Sequence, residues 1–356
     1  MSANPLSKSV ILMVVLVVAA ITSWELYLRG KGIDIAYDDE APLWSDKRAM
    51  VYEPTDKSTV FIGSSRIKFD LDVDTWEKMT GDHAILLALE GSNPLPILHD
   101  LANDEKFKGK LIVDVTEPLC FIPLRYFQVR PETNIKYYHD RTPAQRASFS
   151  LNYFLESRFV FLDKMNFSLG AQLDKLKIEN RPGVYLSPEF PMDFSRVQFS
   201  RQCKMTDRFV ADTNLQNQVK AVWASLRIAP KGPPPPEAQI NAGIQATIQS
   251  IKNDVTRIRA RGGQIVFVRT PASGPLKMGE EMGFPRKNYW DRILNETGSV
   301  GIHYLDYPSL DHFVCPEFSH LSPKDAGVFT QHLIRILNEE MGWKFPKLPG
   351  SLTFTR

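Results

Sequence analysis

Residues 59–66, Thr59-Val60-Phe61-Ile62-Gly63-Ser64-Ser65-Arg66, decide how the chain reads. A short apolar run suits a strand buried on both faces, and the glycine that stops it lets the backbone turn sharply at the strand's carboxyl end. Working outward, similar runs recur at residues 84–89, 111–115, 264–268 and 302–305, each followed by a turn or a helix start. Strands that alternate with amphipathic helices build a parallel sheet covered on both faces, so the expected class is α/β.

Two helices are plain in the pattern. Ile240, Ile244, Ile248, Ile251, Val255 and Ile258 step by four and three residues, which gives one apolar stripe leading into the run at 264–268. Near the end of the chain Ser322 suits a helix cap, Pro323 the first helical position and Asp325 the third, while Phe329, Leu333 and Ile336 share a face. This last helix is expected to close the sheet. The domain plan is then a membrane anchor or signal segment over 1–29, a polar linker over 30–57, and an α/β domain made of 58–120 and 238–345. Between its halves lies an insertion, 121–237, rich in aromatics such as Tyr126, Phe127, Tyr137, Tyr138, Tyr153 and Phe154. It reads as a cap over the carboxyl edge of the sheet or as a small second lobe. Its proline run at 232–236 makes a stiff, extended connector.

The N-terminal segment carries the clearest targeting signal. Lys8 precedes an apolar run over 10–21, extended to Leu28 and interrupted only by Thr22, Ser23 and Glu25. As a helix, residues 9–28 would span roughly 30 Å, about one hydrocarbon core, with Trp24, Glu25 and Tyr27 in the interfacial zone. A cleaved signal and an uncleaved anchor both fit: the strictly apolar stretch is short, yet no small-x-small site closes it. Lys8 on one side and Arg29 and Lys31 on the other leave orientation open. The N-terminal placement points to a single-pass protein of the cytoplasmic (inner) membrane, with its bulk on the periplasmic or extracytoplasmic side.

The 356 residues are 43% apolar with a formal net charge of +2, acids and bases mixed throughout. That balance lacks the basic footprint a nucleic-acid binder uses to neutralise phosphates. Three cysteines, Cys120, Cys203 and Cys315, form neither a disulfide framework nor a metal motif, and no cofactor is called for. A tie from Cys315 to Cys203 or Cys120 would steady the loop that follows Cys315.

Reactive groups of open α/β sheets gather where strands end at their carboxyl edge. The first strand delivers Gly63-Ser64-Ser65-Arg66, which either exposes one serine oxygen with its own N–H or is an ordinary turn and helix cap. The second ends in Glu90-Gly91-Ser92-Asn93-Pro94, where Gly91 brings a backbone N–H toward the serine or simply turns the chain into a helix. The third ends in Asp114-Val115-Thr116-Glu117-Pro118, whose polar groups line a site or form the solvated end of a strand. Arg66 and Arg269 at strand ends suit an anionic substrate group, or local acids.

Glu317-Phe318-Ser319-His320-Leu321-Ser322-Pro323 is the most informative stretch. A carboxylate three residues before a histidine, ahead of a capped helix, accepts from Nδ1–H and leaves Nε2 free as a base, which a serine nucleophile requires. The alternative is a capping loop whose His320 bonds only its neighbours. His303, His312 and His332 lack this arrangement and read as structural or exposed.

The strand-borne Gly63-Ser64-Ser65, the Gly91 turn and Glu317-x-x-His320-Leu-Ser-Pro resemble the first, second and fifth blocks of the SGNH (GDSL) hydrolase superfamily. The likeness is nearest to its membrane-anchored branch of polysaccharide O-acetyltransferase-like and D-alanylation-like proteins. It implies a flavodoxin-like three-layer α/β sandwich, with Ser65 as nucleophile, His320 as base, Glu317 as orienter, and Gly91 with the Ser65 N–H as oxyanion donors. It further implies acyl-ester hydrolysis or O-acyl transfer on a cell-envelope glycan, beside a multi-pass membrane-bound O-acyltransferase. The sequence departs from that pattern twice. Glu317 stands where the family has Asp, and the third-block asparagine has no counterpart, a gap that Thr116, Asn93 or nothing fills. A non-catalytic scaffold or carbohydrate-binding module of an envelope assembly is the other reading.

Overall fold

The computed structural model describes residues 5–174, 190–226 and 235–348. Most of the proline run at 232–236 lies outside them. Seven short strands are present among the described residues: β1 Ser58–Ile62, β2 His83–Leu86, β3 Lys110–Asp114, β4 Ser195–Val197, β5 Cys203–Met205, β6 Gln264–Arg269 and β7 Val300–His303. Five form one parallel sheet in the order β2-β1-β3-β6-β7, and β4 and β5 make a separate antiparallel pair. The fold is therefore mixed α/β around a central five-stranded parallel sheet.

Side chains alternate across that sheet, as the pleat requires. Val60 and Ile62 of β1 join Leu111, Val113, Ile265 and Phe267 in one core, which the helices Leu95–Asn103, Glu237–Ala260 and Trp290–Thr297 cover. Phe61 faces the other way with Ile112, Val266, Val268 and Ile302, under the helices Val73–Thr80 and Pro323–Glu339. The two helices read from the sequence thus cap opposite faces. Ser322 accepts from Asp325 N, and Pro323 occupies the first turn, as their order in the chain requires. Although β2 ends at Leu86, Leu87 N and Leu89 N still bond Phe61 O and Gly63 O, so the chain follows β1 to its end.

The sheet order places β1 between β2 and β3, so the chain leaves β1 to one side and returns to its other side at β3. The crevice outside the carboxyl ends of β1 and β3 is the switch point at which such sheets take ligands. Ser64, Ser65, Thr116 and Glu117 follow those two ends directly.

Three expectations need correction. Residues 30–57 are not only a linker, because the helix Ala41–Ala49 buries Leu43, Trp44 and Arg48. Trp44 Nε1 donates to Leu87 O at 2.9 Å, and Arg48 bridges Asp100 and Asp104. Its few large anchors are diluted by polar neighbours, which hid it from a reading of average polarity. The insertion does not hold together as one lobe: the described residues of 143–186 form a compact unit with those of 1–38, whereas 39–142 and the remainder belong to the sheet domain. Finally, Cys120, Cys203 and Cys315 are all free and buried, and burial raises each thiol's pKa.

In the smaller unit the helix Pro5–Gly30 is long and apolar enough from Leu6 onward to cross a membrane, and its apolar side chains are exposed. Its last turns are held by the chain's own residues. Glu25 accepts from Val160 N at 3.0 Å, Phe161 N at 3.2 Å and Arg29 Nε at 2.7 Å, while Arg29 also reaches Arg158 O.

Candidate functional site

The turn after β1 is built on a close approach. A Cβ on Gly63 would lie 2.6 Å from Asp114 Cβ and 2.7 Å from Ile67 Cγ2, so only glycine lets β1 pass the end of β3 here. Ser64 then caps the helix Ser65–Asp70, its Oγ accepting from Arg66 N at 3.3 Å. The same Oγ shares a 2.9 Å bond with Thr116 Oγ1 and lies 3.4 Å from Asp114 Oδ2. Ser64 is buried and fully engaged. Ser65 is the only residue of 58–73 that keeps partial exposure, and its hydroxyl bonds no described residue. As the first helical residue, its N–H has no acceptor within the helix. The two serines differ: Ser64 builds the turn, and Ser65 keeps partial exposure.

The loop before the last helix carries the second half of the site. Glu317 Oε1 accepts from the backbone N–H and from Nδ1 of His320, both at 2.7 Å. Trp223 Nε1 donates to the other carboxylate oxygen, Oε2. Phe318, between Glu317 and His320, adopts φ 81°, in the left-handed region that residues other than glycine rarely take. Ser273 N bonds Phe318 O, and Ser273 Oγ accepts from Cys315 N, so the loop is pinned to the segment after β6. With Nδ1–H committed to Glu317, the lone pair of Nε2 is free to take a proton. Nε2 is buried without a partner, which means that no hydrogen bond joins it to Ser65.

An aromatic cover explains that burial. Phe69 stacks on His320 with ring centroids 4.2 Å apart, and Phe194 and Trp223 approach at 6.1 and 5.9 Å. Phe69 lies one helical turn after Ser65 in the helix Ser65–Asp70. Asp70 Oδ1 accepts from Leu321 N at 2.8 Å and ties the same helix to the histidine loop. Burial, with Asp114 and Glu317 nearby, raises the Asp70 carboxyl well above its ordinary range.

The end of β3 is not a solvated strand end: Asp114, Thr116 and Glu117 are all buried. Burial raises the Asp114 carboxyl. Nor do Arg66 and Arg269 offer free guanidinium forks. Both nitrogen ends of Arg66 bond Glu280, and Arg269 bonds Glu117 at 2.8 Å, Thr270 O at 3.1 Å and Glu280. A cleft of 330 Å³ beside them is lined by Arg269, Lys277, Phe284, His303 and Tyr304 among others. His303 is structural. Its Nδ1 accepts from Leu305 N at 3.2 Å, and burial with the positive charge of Arg269 lowers its pKa to about 3.

Gly91 is exposed at φ 58°, and a Cβ there would meet nothing within 4 Å, so this turn leaves open space. Asn93 Oδ1 accepts from Leu95 N, while its own N–H donates to Phe127 O. Its side-chain Nδ2 bonds no described residue. Thr116 is engaged with Ser64, so Asn93 carries the uncommitted amide of the two. Sequence reasoning missed Trp223, Asp70 and Glu280. Each acts on the site across a long stretch of chain, and no local motif marks it. No protein-family model matches this chain, and no curated protein matches it.

Proposed function

We propose that the chain is an SGNH-type serine hydrolase or O-acyltransferase. In this reading Ser65 attacks an acyl ester, His320 Nε2 takes the hydroxyl proton, and Glu317 holds the imidazole in the tautomer that allows it. The tetrahedral intermediate collapses as His320 returns the proton to the leaving alkoxide. The acyl group then passes from Ser65 to water or to a sugar hydroxyl. The Ser65 and Gly91 N–H groups, with Asn93 Nδ2, are the oxyanion donors, and Asn93 or Thr116 stands in for the missing family asparagine.

The carboxylate–imidazole pair carries this reading. A buried histidine with Nδ1 fixed by Glu317 and an unpartnered Nε2 beside a sheet's switch point is costly as mere structure, because an unmet buried acceptor is destabilising. The N-terminal helix supports a single-pass protein of the cytoplasmic membrane with its domain outside. An envelope glycan then serves as acceptor, and a multi-pass membrane-bound O-acyltransferase as partner. The test is hydrolysis of a nitrophenyl acetate by the full chain in detergent. Loss of turnover and of fluorophosphonate labelling in both Ser65→Ala and His320→Ala, with the fold intact, is the expected result. Wild type as slow as its variants, and unlabelled, overturns it.

One observation favours the other reading, a scaffold or carbohydrate-binding module. Nε2 is buried under Phe69, Phe194 and Trp223 and has no hydrogen-bond partner. A catalytic site must open that cover, and a scaffold need not.

A further inference from the structure

We infer that the described residues of 143–174 form an interfacial collar that lies in the lipid headgroup layer around the end of the N-terminal helix. The inference rests on the reading that this helix spans a membrane. It starts from exposed apolar surface that a water-facing unit does not normally keep. On the helix Pro143–Glu156, which buries none of its side chains, Leu151 and Phe154 stand three residues apart on one face and are 60% and 51% exposed. Arg158 continues that face one turn on and lies over the Phe154 ring at 3.7 Å. Further along, Met165, Leu169 and Leu173 recur every fourth residue and are 75%, 76% and 54% exposed.

These side chains are fastened at one level of the spanning helix. Phe167 meets Trp24 edge-on at 6.4 Å, and Trp24 stacks on Tyr27, the residue types that settle at a membrane–water boundary. Glu25 accepts the N–H groups of Val160 and Phe161, and Arg29 reaches Arg158 O, so the backbone between the two apolar stripes is clamped to the helix at that boundary. A segment held there with large apolar residues facing outward continues the lipid-facing surface of the helix. Basic Arg146 and Arg158 at its edges suit phosphate headgroups, while Lys164 is paired with Asp38. A bilayer leaflet is therefore its occupant, not a second protein.

The test is site-directed spin labelling of the full chain in phosphatidylcholine–phosphatidylglycerol nanodiscs, with the label at Leu151→Cys, Met165→Cys, Leu169→Cys, Leu16→Cys or Met282→Cys. The native thiols are buried and take little label. At 151, 165 and 169 collisions with oxygen are expected to exceed those with a water-soluble nickel complex severalfold, as at 16, with the order reversed at Met282 in the sheet domain. Water-like behaviour at all three, with Leu16 still lipid-like, overturns the collar. Protection from both reagents also overturns it, since it means that protein covers the surface. Water-like behaviour at Leu16 overturns the spanning helix itself, which separates the two failures.

Discussion

The indole N–H of Trp223 donates to Glu317 Oε2, so the carboxylate that orients His320 is held by a residue 94 positions earlier in the chain. Trp223→Phe keeps the ring beside Phe190 and His320 but removes the donor. A hydrogen bond to a carboxylate in a partly buried setting is worth about 1–2 kcal/mol. Urea unfolding should show that loss, and ester turnover should fall roughly tenfold, the rate equivalent of about 1.4 kcal/mol. An unchanged midpoint and rate would mean that the bond carries no weight.

Glu280 neutralises two arginines at once: burial by itself would raise its carboxyl pKa, but the charges and hydrogen bonds of Arg66 and Arg269 outweigh it and lower the pKa. Glu280→Gln leaves the Arg66 and Arg269 charges short of a buried partner, which costs about 3–5 kcal/mol. Thermal unfolding measures it. A loss below about 1 kcal/mol would show that water reaches the guanidinium groups.

His303 gives the fold an acid sensitivity whose sign is fixed by its lowered pKa of about 3. Below an unfolded pKa of about 6.5 the unfolded chain binds a proton that the folded ring refuses. Stability from this group is therefore complete above pH ~6.5 and falls by up to ~1.4 kcal/mol per pH unit toward pH ~3. His303→Asn, whose amide oxygen can accept from Leu305 N, should lose about one proton of that slope in denaturation curves recorded from pH 7 to 4. An identical slope in both proteins would refute the assignment.

The two glycines of the site should respond differently to alanine. Gly63→Ala forces a methyl to within contact of Asp114 and Ile67, overpacking that costs about 1–3 kcal/mol and shifts the turn that carries Ser65. Gly91→Ala meets no atom, and only its left-handed backbone is penalised, by about 1 kcal/mol. Ester turnover at matched folded fraction should drop far more in the first. Equal losses would mean that the turn at Gly63 does not set the geometry of Ser65.

What the sequence disclosed follows the reach of its signals. β1, β3 and β6 announce themselves because a buried parallel strand is a short run of apolar residues, and Ser322-Pro323 announces a helix because capping is local; β7, Val300–His303, begins two residues before the run at 302–305, because its first half is an exposed valine and a glycine. The Glu317–His320 pair spans one loop and was legible for the same reason. The left-handed backbone of Phe318 was not, since nothing in that residue type predicts it. Arg66 and Arg269 looked free because their partner Glu280 lies 214 residues from the first. The helix Ala41–Ala49 passed as linker because its burial depends on Leu87, Asp100 and Asp104, which only the fold brings to it.

The three solitary, protonated thiols have a bearing on how this protein is made. In the extracytoplasmic placement proposed above, cysteines on the surface would need an oxidant and an isomerase to sort them. Here each sulfur is sequestered in the sheet domain, so maturation requires no thiol exchange. A maleimide reagent added to the finished protein becomes a clock for its unfolding.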